Sequence, residues 1–222
     1  MGCSGTFTKR ELMEDRKKGI LIAIEGIDGT GKSTQLQLLA SYLRDRGCTV
    51  VETREPTNGE YGQQIRELYV NRDKYTLEEE LELFIQDRRQ HVEEVVAPGL
   101  AAGKVVLTDR YYFSTAAYQG AAGMDPVEVF NKNNFAPRPD LVILLTMSPE
   151  VSQMRIQELR GDDLNDFEQE EQLRKVAELF DSFQDSCIQR VSADSPLESV
   201  EKEIQKTVDV LLQNKMYQCE NQ

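Results

Sequence analysis

Apolar and polar positions follow two rhythms along this chain. Short runs rich in β-branched residues recur: ILIAIE from Ile20, CTVVET from Cys48, KVVLTD from Lys104, DLVILLT from Asp140 and a weaker IQRVSA from Ile188. These runs are nearly continuous rather than alternating, which predicts strands covered on both faces. Between them lie longer stretches with apolar residues at steps of three and four, the spacing of one helix face. A regular succession of strands and helices is the mark of βα units around a parallel sheet, so the pattern alone predicts an α/β fold. Leu197, Val200, Ile204, Val208 and Leu211 predict a closing helix over residues 196–217.

Composition bounds the rest. A chain of 222 residues is long enough for one full-sized domain and cramped for two. The expected layout is a polar, flexible leader over residues 1–18, one domain over 19–217 and a short tail over 218–222. The opening MGCSGT fits the loose myristoylation pattern, but the leader is read as a plain polar segment. Against 26 Lys plus Arg stand 39 Asp plus Glu, a formal net charge of −13. That balance gives no footprint for a nucleic-acid polymer or an anionic membrane surface, both of which require many neutralised phosphates. No apolar run approaches membrane-spanning length. The four cysteines, Cys3, Cys48, Cys187 and Cys219, lack metal-site or disulfide-scaffold spacing, so a reducing cytoplasm is expected.

The stretch EGIDGTGKST, from Glu25, adds the first chemistry. Gly26, Gly31, Lys32 and Ser33 match G-x-x-x-x-G-K-[ST] between a predicted strand and a predicted helix, the context the motif needs. Gly26, Ile27, Asp28, Gly29, Thr30, Gly31, Lys32, Ser33 and Thr34 are therefore the candidate nucleotide-binding residues, a cradle for phosphates. Glycines let the backbone wrap with N–H groups inward, the helix start adds partial positive charge, Lys32 supplies a cation and Ser33 an oxygen for magnesium. ATPase, GTPase and kinase all stay open at this point. The nearest string to the guanine-reading N-K-x-D is NKNN from Asn131, which lacks the carboxylate and weakens the GTPase reading.

Three arginines stand where a cation is costly. Leu77, Leu81, Phe84, Arg88, Val92 and Val95 share one predicted helix face, which puts Arg88 inside an apolar stripe one turn after Phe84. Either Arg88 meets a ligand and Phe84 stacks on it, or Arg88 pairs with a carboxylate such as Glu93 and Phe84 is core. Arg54, in TREP at 53–56, follows a strand and can reach a phosphate, or can form a surface pair with Glu52 or Glu55. Arg110 follows Asp109 at another strand end, and Thr115, Tyr118 and Gln119 fall on the helix after it. Asp109 is suited to a magnesium-bound water. His91 reads as structural or surface.

EGIDGTGKST, TREP, LFIQDRRQHVEEVVAPGLAAGKVVLTDRY and STAAYQG, in that order, together resemble the thymidylate kinase family, from about Gly19 to ADSPLESV. The resemblance implies a P-loop kinase fold with a five-stranded parallel sheet flanked by helices on both faces and a short mobile lid, about 155–170. It implies transfer of the terminal phosphoryl of ATP to dTMP, giving dTDP, with Mg2+, in a cytoplasmic homodimer. On this resemblance Lys32 holds donor phosphates, Ser33 and Asp109 serve the metal, and Asp28 meets the acceptor 3′-hydroxyl. Arg54 and Arg110 grip the acceptor phosphate, Phe84 stacks on thymine, Arg88 bonds its O4, and Thr115 or Gln119 meets another edge. Tyr118 crowds the 2′ position. Such equipment suits phosphoryl transfer, which needs alignment and charge neutralisation more than covalent catalysis.

The chain also departs from that pattern. Gly29 stands where some members place an arginine, TNGEYG replaces the usual glycine-threonine continuation after REP, and Thr146 stands where an aspartate is common. The lid string RIQELRGDDLNDFEQEE offers Arg155 and Arg160 as the catalytic lid arginine, with Arg160 favoured, and Asp166 where an arginine is usual. A kinase for another deoxynucleotide or deoxynucleoside, and a regulatory nucleotide binder with a thinned lid, are the alternative readings.

Overall fold

The computed structural model describes residues 19–71, 74–160 and 170–220. The predicted leader over 1–18 and the central part of the predicted lid lie outside the described residues. Five parallel strands form one sheet in the order β2-β3-β1-β4-β5: β1 (Ile20–Glu25), β2 (Val50–Arg54), β3 (Val105–Asp109), β4 (Leu141–Thr146) and β5 (Ile188–Ser192). All five are the apolar runs of the sequence. β1, β3 and β4 are buried almost end to end. The edge strands β2 and β5 are buried only in part, so the expectation of two covered faces holds for the three central strands alone.

Helices close both faces around two cores. On one side α1 (Lys32–Asp45) and the long terminal helix α8 (Leu197–Glu220) pack Leu36, Leu39, Leu43, Val200, Ile204 and Val208 against Ile22, Ile24, Leu107 and Ile143. On the other, α3 (Leu77–His91), α4 (Tyr112–Ala121) and α7 (Glu170–Ser182) cover Leu21, Ala23, Val106 and Val142. α2 (Glu60–Asn71), α5 (Pro126–Lys132) and α6 (Pro149–Arg160) complete the order. α8 runs to Glu220, past the predicted stop at Tyr217, because MYQCE contains neither glycine nor proline to end it.

Helix α3 begins at a capping box. The Thr76 hydroxyl accepts from the Glu79 amide at 3.2 Å and the Glu79 carboxylate from the Thr76 amide at 2.8 Å. After His91 the chain makes a π-helical turn, Val92–Val96, before Ala97–Ala101. The extra residue rotates the stripe, so Val96 is buried where regular spacing predicts Val95. Within α3 the buried positions are Glu80, Leu81, Ile85, Asp87, Arg88 and His91, and Phe84 is only half-buried. The buried face thus contains four polar or charged residues, Glu80, Asp87, Arg88 and His91, that hydropathy alone places outside the core.

Candidate active site

The carboxyl ends of β1, β2 and β3 point the same way, as ligand sites in open α/β sheets require. Gly26 opens the phosphate loop with φ +137°, and a Cβ there would meet the Leu145 carbonyl at 2.4 Å. Only glycine fits that close approach. Lys32, 7% exposed, donates from Nζ to the Ile27 carbonyl at 2.8 Å and stands 3.9 Å from Asp28. Burial, helped by the nearby Arg110, pulls its ammonium down to about 8 against Asp28, Asp109 and Glu25. A phosphate arriving in the loop adds to the counter-charge that Asp28 supplies at 3.9 Å and favours the ammonium form. Thr30 closes the turn by donating to the Ile27 carbonyl at 2.8 Å, while Ser33 and Thr34 are exposed at the start of α1.

Ser33 Oγ donates to Asp109 Oδ2 at 2.5 Å, across 76 residues of sequence. A hydroxyl beside a carboxylate, both open to the loop, is a hard-oxygen donor set that fits Mg2+, an ion commonly held by one or two protein oxygens plus substrate phosphates. Ser33 and Asp109 also border a cavity of about 500 Å³ that contains Arg54, Thr53, Thr57 and His91.

Arg110 forms the second centre. It takes a left-handed backbone, φ +72°, unusual outside glycine, and its amide donates to the Ile24 carbonyl. Its guanidinium reaches Asp28 Oδ1 at 2.5 Å, Ser114 Oγ at 2.9 Å, the Gly26 carbonyl at 3.2 Å and Tyr118 Oη at 3.3 Å. Tyr118 in turn donates to Asp28 Oδ2 at 2.8 Å. Enclosure alone would raise the Asp28 carboxyl, but Arg110 and Lys32 outweigh it and hold the group well below its usual range. Beneath this turn Glu25 accepts from the Tyr111 and Ser114 amides and from the Ser114 hydroxyl. Burial pushes Glu25 up to about 7 despite those donors and Arg110.

Arg88 forms the third centre and is 1% exposed. It donates through Nε, at 2.9 Å, and Nη2 to Glu55 Oε2, through Nη1 to Asn133 Oδ1 at 2.6 Å, and through Nη2 to Thr115 Oγ1 at 2.9 Å. Glu55, not Glu93, is therefore its carboxylate partner. Burial raises the Glu55 carboxyl, yet Arg88 and His91 override burial and keep it below the usual range. Of five guanidinium N–H donors, one on Nη1 is left over among the described residues. Nearby, Gln119 donates to Glu80 Oε1 at 2.7 Å, while its buried Oε1 and the buried Tyr111 hydroxyl have no hydrogen-bond partner among the described residues. Buried polar atoms of this kind are costly unless a ligand or water meets them.

Known proteins decide what these three centres belong to. A family model described as thymidylate kinase matches residues 24–204. A thymidylate kinase of Desulfotalea psychrophila is 50% identical over 194 residues, 87% of this chain and 96% of that protein. One from Xanthomonas campestris pv. campestris is 40% identical over 198 residues, 89% and 86%, and one from Xanthomonas euvesicatoria pv. vesicatoria 45% over 168, 76% and 74%. The chain belongs to the thymidylate kinase family.

Within that family two of the departures, Gly29 and TNGEYG, now have a structural account. Gly29, at φ +80°, faces α6: a Cβ there would meet the Ser152 carbonyl at 2.6 Å and Ile156 at 3.1 Å. No side chain, least of all the arginine some thymidylate kinases place here, fits between the loop and that helix. Ser152 also donates from Oγ to the Asp28 carbonyl. In TNGEYG, Thr57 gives both its amide and its hydroxyl to Asp87, at 2.9 and 2.5 Å. Arg155 lies on α6 three residues past Ser152 and makes no hydrogen bond or ion pair among the described residues; Arg160 ends α6. Residues 161–169 of the expected lid, Asp166 included, lie outside them.

The structure brings Asp28, Arg110 and Tyr118 into one cluster, Arg88 and Thr115 into another, and Lys32, Ser33 and Asp109 into the loop. Phe84 is one turn from Arg88 on α3, and Gln119 is one turn from Thr115 on α4. Arg54 contacts neither Asp28 nor Arg110 among the described residues, and it is not paired with Glu52, which binds Arg44 at 2.6 Å. Sequence reasoning missed Glu25, Ser114, Asn133 and Ser152, and saw Glu55 only as a surface partner. Asn133 sits inside NKNN, a string weighed solely as a failed guanine motif. A buried arginine needing acceptors was the one available signal for both Glu55 and Asn133.

Proposed function

We propose that this chain transfers the terminal phosphoryl group of ATP to dTMP, giving dTDP, with Mg2+ as the metal. The observation that carries the reading is Asp28: a phosphate-loop residue whose carboxylate is bonded to Arg110 and Tyr118, so the donor loop and the acceptor pocket share a side chain. Lys32 and the loop amides hold the donor phosphates. Ser33 and Asp109 hold the metal, which when bound neutralises charge on the phosphates. Arg54 and Arg110 take the acceptor phosphate, and Asp28 the 3′-hydroxyl. Tyr118 fills the space a 2′-hydroxyl would need. Arg88 offers its free N–H to thymine O4, Phe84 stacks on the ring, and Thr115 or Gln119 meets another base edge.

Phosphoryl transfer on this arrangement is alignment in a charged cleft, without a covalent enzyme intermediate. Arg160, in preference to Arg155, supplies charge from the lid. The working unit is a homodimer in the cytoplasm; no helix among the described residues is long and apolar enough to cross a membrane. One domain spans 19–217. The test is an acceptor panel: ATP, Mg2+ and each nucleoside monophosphate in turn. dTMP is expected to give the highest kcat/KM, and a better acceptor than dTMP would overturn the specificity. A single species of twice 25.3 kDa in sedimentation supports the dimer.

A further inference from the structure

The TREP strand end and the helix motif F-x-x-D-R-x-x-H look like independent features in sequence, yet the structure joins them at every second residue. Thr53 Oγ1 meets His91 Nε2 at 2.7 Å. Glu55 meets Arg88 through one carboxylate oxygen and His91 Nδ1, at 2.9 Å, through the other. Thr57 is held twice by Asp87. β2 ends at Arg54 and the chain bends at Glu55 and Pro56, so tied Thr53 precedes Arg54 and tied Glu55 and Thr57 follow it. Arg54 itself is exposed, on the rim of the cavity that also contains Ser33 and Asp109, and without an ion pair among the described residues.

We propose that His91 is a positioning residue, which with Asp87 and Arg88 fastens Thr53, Glu55 and Thr57 to α3 and thereby holds Arg54 at the phosphate end of the cleft. The proposal rests on the reading of Arg54 as a grip on the acceptor phosphate. An arginine loses rotamer freedom when it binds, so fixing the backbone that bears it lowers the cost of binding. His91 is suited to this because its two nitrogens do different work. Ionised Glu55 only accepts, so Nδ1 carries the proton toward it, and Nε2 meets the Thr53 hydroxyl on the other side. The ring therefore ties residues on both sides of Arg54, while Arg88 ties the base end of the cleft to the same carboxylate. Base recognition and phosphate placement become one rigid unit.

A pair of ligands separates this role from a merely structural one. dTMP uses both ends of the unit, whereas thymidine, which lacks the phosphate, uses the base end alone. Calorimetric titration of the full chain with each ligand reads the two. Arg54→Ala is expected to weaken dTMP about 30-fold and leave thymidine within about twofold. His91→Asn keeps a donor for Glu55 and removes the Nε2 contact with Thr53; Thr53→Val removes the hydroxyl with little change of shape. Both are expected to weaken dTMP about five- to tenfold and thymidine less than about twofold. Combining His91→Asn with Arg54→Ala should cost nothing beyond Arg54→Ala. Equal weakening of thymidine and dTMP by His91→Asn and Thr53→Val, or unchanged dTMP binding in both, overturns the proposal. Unchanged dTMP binding in Arg54→Ala overturns instead the reading of Arg54 on which it stands, and the proposal with it.

Discussion

Arg88 and Arg110 are both arginines placed against a carboxylate from a distant part of the chain, but they are built for opposite tasks. Arg88 is 1% exposed and held by short, well-directed contacts to Glu55, Asn133 and Thr115. Arg110 keeps 17% of its side chain exposed, and two of its four contacts, to Gly26 and Tyr118, are 3.2 and 3.3 Å long. Bonds at that length are weak and easily exchanged. Arg88 is thus a fixed template with one N–H to spend on a neutral ligand atom, which suits reading a base edge. Arg110 can trade partners when an anion arrives, which suits gripping a phosphate. The difference lies in how completely each guanidinium is satisfied beforehand.

The largest effect is expected at the exchangeable centre. Arg110→Ala should lower kcat/KM for dTMP by about 10⁴-fold, in the range of transition-state arginines, while leaving the fold intact because the side chain is partly solvated. Steady-state kinetics with a melting curve checks both halves; a loss of folding in place of activity would erase the contrast with Arg88. At the fixed centre the order reverses. Glu55→Ala leaves a guanidinium buried without its counter-ion and should cost about 4 kcal/mol of stability, read as a shifted urea midpoint. If the variant stays as stable as the parent and loses only activity, Arg88 is not the rigid template described.

Glu25 sharpens the picture beneath Arg110. Its carboxyl titrates at about 7 in the fold against an ordinary 4.5, so the fold favours its protonated form. That contribution is fully present below pH 4.5 and is lost as pH rises through 7, a swing of about 3 kcal/mol. Glu25→Gln, neutral throughout, should therefore gain on the parent in melting temperature between pH 4.5 and 7, with the gap constant above that. A gap that narrows with rising pH would mean the carboxylate is held ionised, with Arg110 as a true ion partner.

Much of this molecule was legible in the order of its residues. The three central strands announced themselves because β-branched runs buried on both faces leave no polar alternation to blur them, while the part-buried edge strands β2 and β5 were legible from their β-branched residues and their place between helical stretches. The phosphate loop was legible because its chemistry is local: Gly26, Lys32 and Ser33 act within nine residues of one another. Arg88 was flagged as a buried cation, but its partners were not, since Glu55 and Asn133 lie 33 and 45 residues away and periodicity reports only an element's own face. Glu55 was read only as one possible surface partner of Arg54, because a bend just past a strand end carries no periodicity to show which side chain turns inward. The π-helical turn after His91 was likewise invisible, as no residue type marks it.

Asn133 gives the finest test of the comparison. It accepts from Arg88 Nη1 through Oδ1 and donates from Nδ2 to the Val129 carbonyl at 2.8 Å, so its amide is fixed by its own helical turn. Asn133→Ala frees a second Arg88 N–H without removing the counter-ion. Loss of one hydrogen bond to a charged donor should destabilise the fold by about 1 to 2 kcal/mol. If Arg88 reads the base through a single fixed N–H, loosening it should raise KM for dTMP about fivefold and leave kcat nearly untouched, because the phosphate end is held by other residues. A fall in kcat equal to that of the Arg110 variant would mean the two arginines are not separate devices, and that tilting one guanidinium displaces the other.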